Sequence, residues 1–365
     1  MDARTLSLVG GVMLLLGAAT AIGWFLQRRA DSGLDPAIIE SFRTRIRAWW
    51  ILVTALAAAF LIGKIATVIL FGLISFWALR EFITLTPTRP SDHRTLFWVF
   101  FLCTPAQFVL VGMNKYWLYS TLIPVYAFLL IPARIALSGD SKRFLERTAK
   151  IQAGLLICVY CLSYAPALLT LELKPDARSL QTAGLTAERP ALAAAGETSP
   201  KPAARQTEPA ATATEPTGPS RVVAALAKDP GANVRLLFFF ILMVQLSDVL
   251  QYAWSQLPSK HVMVPTINPT KTWEGLLGGA ANSALLGSAL WWATPFPYWM
   301  AALMSLVVAL MGAAGSLTMS AIKRDRGVKD YGTLVEGHGG VLDRIDSICF
   351  AAPVFFHFTQ YYLGK

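Results

Sequence analysis

Residues 298–321 read YWMAALMSLVVALMGAAGSLTMSA, a run without a single charge. As a helix it would be about 36 Å long at 1.5 Å per residue, enough to cross a hydrocarbon core roughly 30 Å thick. Lipid offers no hydrogen bonds to an open backbone, so a run of this kind crosses as a helix. Comparable runs lie near 6–26, 49–63, 65–83, 96–112, 117–134, 151–171, 235–256, 276–293 and 346–363. The expected fold is therefore an all-α polytopic integral membrane protein with about ten transmembrane helices. Composition agrees: 15% of residues are charged, against roughly 25% in soluble domains.

The first run precedes its basic flank, Arg28 and Arg29, and has no A-x-A-like cleavage site, so it reads as an uncleaved span. The net charge of +10 does not indicate a nucleic-acid binder. Its lysines and arginines sit in short loops between spans, as cytoplasmic retention and anionic headgroups require. With ten spans, the loops holding Arg43, Arg45 and Arg47, Arg89 and Arg94, and Arg134 to Lys150 share one side with loops 257–275 and 322–345. The positive-inside rule makes that side cytoplasmic and puts both termini outside. Cys103, Cys158, Cys161 and Cys349 all fall inside apolar runs, and the one C-x-x-C lacks a second ligand pair, which points to helix packing rather than metal or redox chemistry.

Between 172 and 234 the aromatic and branched residues give way to Ala, Pro, Thr and scattered charges, as in Thr212-Ala213-Thr214-Glu215-Pro216-Thr217. That stretch reads as a flexible, non-cytoplasmic linker. It separates an N-terminal membrane part, 1–171, of about six helices from a C-terminal part, 235–365, of about four. In the first part Arg80 and Glu81 close a span, and the expectation is a snorkelling arginine paired with its neighbour. His93, His261 and His357 are isolated and carry no metal-ligand spacing.

The C-terminal part holds the chemistry. Overlapping the end of the opening run comes Ser320-Ala-Ile-Lys323-Arg324-Asp-Arg-Gly-Val-Lys329-Asp330-Tyr-Gly332-Thr-Leu-Val-Glu336-Gly-His338-Gly339-Gly340-Val-Leu-Asp343-Arg344-Ile-Asp346. Lys323, Arg324, Lys329 and Arg344 suit phosphate oxygens, and Gly337, Gly339 and Gly340 allow close backbone approach. Asp343 and Asp346, three apart, share a helical face as hard oxygen ligands for Mg²⁺. Asp248, inside the span 235–256, is a costly carboxylate in lipid and marks a cavity or a partner. Charge alone would favour a solvated cytoplasmic loop. The density of Asp, His and Gly among the cations favours a polyphosphate and cation site.

This stretch resembles the signature of the phosphatidate cytidylyltransferases, the CDP-diacylglycerol synthases. It agrees at Ser320, Lys323, Arg324, Lys329, Asp330, Gly332, His338, Gly339, Gly340, Asp343, Arg344 and Asp346, with Glu336 where the family has Pro or Gly. Asn268-Pro269-Thr270-Lys271-Thr272-Trp273-Glu274-Gly275 is similar to a second family segment, with Asn268 in place of Ser. The resemblance implies transfer of CMP from CTP to phosphatidate, giving CDP-diacylglycerol and pyrophosphate, in a bacterial inner membrane with the site facing the cytoplasm. It implies catalytic roles for Lys323, Arg324, Lys329, Asp330, Arg344 and Lys271, and substrate contacts from Ser320, His338, Gly339 and Gly340. It also implies Mg²⁺, with room for a second cation, on Asp343, Asp248, Asp346 and Ser316. No nucleic acid is expected as a partner; a homodimer is compatible. One departure stands out: where the family has a metal-binding Asp four residues before the signature serine, this chain has Ser316. A hydroxyl completes a coordination shell but brings no charge. Two other readings therefore stay open: a CTP-dependent enzyme for another lipid phosphate or lipid alcohol, and a non-catalytic membrane paralogue.

Overall fold

The structure, a computed structural model, describes residues 53–85, 88–173, 231–257, 261–332 and 339–364, with Trp50 and a scatter between Ser7 and Ala21. Most of the expected span 6–26, most of the linker and His338 lie outside the described residues. What is described is mostly helical. A short apolar helix α1, Val53–Ile62, precedes α2, Lys64–Thr84. Then come α3, Pro90–Gly112, α4, Tyr116–Ala136, and α5, Phe144–Thr170. The C-terminal part contributes α6, Ala232–Ser255, α7, Trp273–Ala289, α8, Tyr298–Asp325, and α9, Leu342–Leu363.

Six of these, α2 to α6 and α8, are long and apolar enough to span a bilayer, so the expected ten are not confirmed. The reasons are local. Helix α1 is only ten residues long and is broken from α2 at Gly63, whose φ of 125° a side chain would rarely adopt. Helix α7 has 17 residues. Helix α9 has 22, but Asp343, Arg344, Asp346, His357 and Gln360 lower its hydropathy. Residues 257–275, expected as a loop, hold an antiparallel pair of strands, β1, Val262–Val264, and β2, Asn268–Thr272.

Helix α2 shows how the bundle is solvated. Ile65, Ile69 and Leu73 form an exposed stripe at four-residue spacing, while Val68, Phe71, Leu79 and Phe82 are buried. A helix apolar on both faces fits protein on one side and lipid on the other. Because lipid is as apolar as Leu, helix association there depends on close packing and interhelical hydrogen bonds. Gln107 of α3 donates to the Tyr119 carbonyl of α4 at 2.9 Å and to the Ser163 hydroxyl of α5 at 3.0 Å. Ser75 of α2 donates to the Cys158 carbonyl of α5 at 2.7 Å. Each such bond contributes on the order of 1 kcal/mol. In the C-terminal part small residues bring helices together: a Cβ on Gly279 of α7 would lie 2.7 Å from the Gln251 nitrogen of α6.

Helices α6 to α9 pack against their sequence neighbours, and α9 also packs on α5 and α2. Asn233 at the start of α6 donates to the carbonyls of Leu169 and Leu171, and Leu173 bridges to Gly364. The two parts of the chain thus share one core, with α9 between them.

Candidate functional site

The site forms where the ends of α6, α8 and α9 meet the strand pair. Strand β2 lies against α8: Asn268 Nδ2 donates to the Ser320 hydroxyl at 3.4 Å, and Arg324 Nε donates to the Ile267 carbonyl at 3.2 Å. The two segments singled out in the sequence are therefore in contact, although about fifty residues separate them. Thr272 caps α7 by accepting from the Gly275 nitrogen at 3.0 Å, which satisfies one of that helix's orphan donors. Glu274 accepts from the His261 nitrogen and ring, and this hydrogen bond holds its carboxyl below the usual carboxylate range.

Next to β2 is a cleft lined by Asp248, Gln251 and Tyr252 of α6, Thr270 and Lys271 of β2, and Leu317 of α8. The Asp248 Oδ1 is buried without a hydrogen-bond partner. Asp346 lies close enough to interact electrostatically with Asp248, and Lys271 acts on both carboxylates. Ser347 connects the two acids: its hydroxyl is 3.4 Å from Asp346 Oδ1 and also engages Asp248. Among the described residues no group of three or more His, Cys, Asp or Glu side chains gathers as a metal cluster. The available donors are two carboxylates and serine hydroxyls. Hard oxygens of this kind, one of them orphaned, fit a magnesium-type cation.

Ser316 lies on the arc of α8 between two of its contacts. Gly312 and Gly315 face α9, where a Cβ on Gly315 would be 2.8 Å from the Asp346 carbonyl, while Ala313 and Leu317 face the cleft. At 100° per residue Ser316 shares a side with Ser320 and Lys323.

Asp343 is fully engaged. Its Oδ1 accepts from Lys323 Nζ at 2.8 Å, and its Oδ2 accepts from the nitrogens of Tyr331 and Gly340, both at 2.9 Å. Lys323 also sits 5.4 Å from the centre of the Tyr331 ring. The phenol of Tyr331 donates to the Met319 carbonyl at 3.0 Å, and burial pushes it above its ordinary range, so it stays a neutral donor. Gly339 has φ 78°, and a Cβ there would meet Asp343 Oδ2 at 2.8 Å and Asp330 at 3.3 Å. Lys329 and Asp330 are exposed. The Arg344 carbonyl accepts from Gln245 at 3.3 Å.

The pairing expected for Glu81 is not what forms. Glu81 is buried and accepts from the nitrogens of Val341 and Leu342, at 2.9 and 2.8 Å, at the start of α9. Arg80 instead lies over the Trp77 ring, 5.1 Å from its centre. The reason is geometric, since residues i and i+1 on a helix do not face each other. Glu81 and Ser347 are the residues that sequence reasoning missed. A lone acid at the end of an apolar span, without an opposite charge three or four positions away, was the available signal for Glu81.

The sequence profile of the cytidylyltransferase family matches residues 43–362. The chain is 32% identical to the uncharacterized protein YnbB of Escherichia coli (strain K12) over 327 residues, 87% of each protein. It is 47% identical over 95 residues to the phosphatidate cytidylyltransferase of Synechocystis, covering 26% of this chain and 32% of that one. The corresponding Mycobacterium leprae enzyme is 39% identical over 135 residues, 36% of this chain and 42% of that enzyme.

Proposed function

The chain belongs to the cytidylyltransferase family and is a nucleotidyltransferase of the membrane, and from that premise we propose that it transfers CMP from CTP to phosphatidate, giving CDP-diacylglycerol and pyrophosphate. The observation that carries the reading is that Asn268 of β2 and Ile267 just before it bond to Ser320 and Arg324 of α8, while Lys271 of β2 lies within electrostatic reach of both Asp248 and Asp346.

The chemistry needs no protein nucleophile. A phosphate oxygen of phosphatidate attacks the α-phosphorus of CTP, and the bond to the departing pyrophosphate breaks. In this reading Lys271, Lys323, Arg324, Lys329 and Arg344 hold phosphate oxygens and offset their charge. Ser320, His338, Gly339 and Gly340 border the substrates, and Asp330 steadies the loop beside Gly339. Positioning and charge neutralisation then supply the rate. Mg²⁺ would be held by Asp248 and Asp346, with Ser316 and Ser347 as neutral oxygens, and would supply the positive charge that the triphosphate needs. Asp343 joins that set only by giving up its contact with Lys323. The Lys and Arg content of the loops supports an orientation with the signature toward the cytoplasm, where CTP is found.

A second reading keeps CTP and changes the acceptor to another lipid phosphate or a lipid alcohol. It is favoured by the similarity to phosphatidate cytidylyltransferases, which spans only 26–36% of this chain, against 87% for the uncharacterized relative. Full-length protein purified in detergent, given α-labelled CTP, Mg²⁺ and a panel of lipid phosphates and lipid alcohols, separates the two. Labelled CDP-diacylglycerol from phosphatidate is the expected product. Label passing only to another acceptor establishes the second reading, and no transfer with any acceptor or divalent cation refutes both.

A further inference from the structure

We infer that Glu81, about 260 residues away in sequence, is a positioning residue for the signature: the last turn of α2 sets the first turn of α9, and with it Asp343, Arg344 and Asp346. The consequence for turnover rests on the cytidylyl-transfer reading; the structural part does not.

A helix begins with backbone donors that have no partner within the helix. At α9 the donors of its first residue and of the residue before it are satisfied from outside the helix. Glu81 takes the nitrogens of Val341 and Leu342, one on each carboxylate oxygen. Asp343 takes those of Gly340 and Tyr331. Two carboxylates thus hold four donors on both sides of the loop between Tyr331 and Val341. The helix dipole adds to the attraction, since it favours negative charge at this end.

The fit around Glu81 is close. A Cβ on Gly340 would fall 2.7 Å from its Cδ, and a Cβ on Gly332 would fall 3.1 Å from its Oε1. Phe82, the next residue, stacks on Tyr331 with ring centres 6.3 Å apart and planes 19° apart. Glu81 is 5% exposed, so water cannot readily replace it. Only a carboxylate presents two acceptor oxygens here. In glutamine one of them becomes an NH₂ group, which faces a backbone N–H donor to donor and leaves it orphaned.

The test uses full-length protein reconstituted in lipid, with Glu81→Gln, Gly340→Ala and the double variant. Gly340→Ala leaves the carboxylate charged but displaces it, so it serves if Glu81→Gln does not fold. Hydrogen exchange is read on the peptide covering 339–346, and kcat is read with both substrates saturating. Each single variant should speed exchange at Val341 and Leu342 at least tenfold and lower kcat about tenfold. The double variant should lose at most threefold more than either, because both act on one contact. A role confined to general stability would lower the yield of folded protein and leave exchange in this turn, and kcat per folded molecule, unchanged. Wild-type exchange in both single variants overturns the inference, as does a double variant whose losses multiply. If the wild type transfers no cytidylyl group, the exchange measurement alone decides, so failure of the functional reading remains distinguishable from failure of this one.

Discussion

Replacing Asp343 by asparagine keeps the shape of the side chain and removes its charge. The carboxylate holds Lys323 at 2.8 Å, with side chains 15% and 10% exposed, and binds two backbone donors at 2.9 Å. Breaking a buried ion pair from one side costs about 3–5 kcal/mol, because the remaining charge is left uncompensated. Lys323 can turn toward solvent, so the lower end applies, at about 3 kcal/mol. The asparagine oxygen still accepts from Tyr331 and Gly340, while its NH₂ meets the ammonium. The loss is therefore local, in the order of the loop between α8 and α9. If the competent loop is depopulated by about 3 kcal/mol, turnover falls by roughly two decades, since each 1.36 kcal/mol is tenfold. The assay is CTP-dependent transfer to phosphatidate in mixed micelles, alongside a thermal midpoint in the same detergent. A hundredfold fall in rate with a small change in midpoint is expected. Asp343→Asn protein within threefold of the wild-type rate would refute the claim that this carboxylate organises the site.

Other substitutions test other joints of the structure. Gly279→Ala drives a methyl into the backbone of Gln251, 2.7 Å away, and should cost about 1–3 kcal/mol by overpacking; Gly72→Ala, whose Cβ meets Phe108 at an ordinary 3.4 Å, should leave the thermal midpoint within a degree or so of wild type. Ser316→Asp adds a carboxylate on the face shared with Ser320 and Lys323, and should lower the Mg²⁺ concentration for half-maximal activity severalfold; an unchanged metal titration counts against Ser316 facing the cation. The hydrogen bond from Arg89, with those from Lys142 and Ser91, holds the Asp140 carboxyl below its ordinary value. Its stabilisation is therefore full above the ordinary carboxylate pKa of about 3.9 and is lost as pH falls through the lower folded value. Asp140→Asn should flatten that acid limb in a series of thermal midpoints, and an identical limb in both proteins would exclude the pair as its source.

What could be read without coordinates was the local information. Charge-free runs predict helices in lipid because the backbone has no other way to bond itself. The stretch from Ser320 to Asp346 was legible because its groups keep fixed spacing along one connection between two helices, and so was the segment around Lys271. Only the tertiary structure decided which of these groups are free and which are engaged. Asp343 read as a cation ligand from spacing, and packing gave both its oxygens to Lys323 and to backbone donors. Asp248 read as a costly carboxylate facing a cavity or a partner, and packing left one of its oxygens buried in a cleft without a hydrogen-bond partner. Glu81 carried no site signal beyond its place at a span's end, since its partners are about 260 residues away. Such contacts depend on how α2 and α9 cross, and a crossing is set by the summed packing of two parts of the chain rather than by the pattern within either.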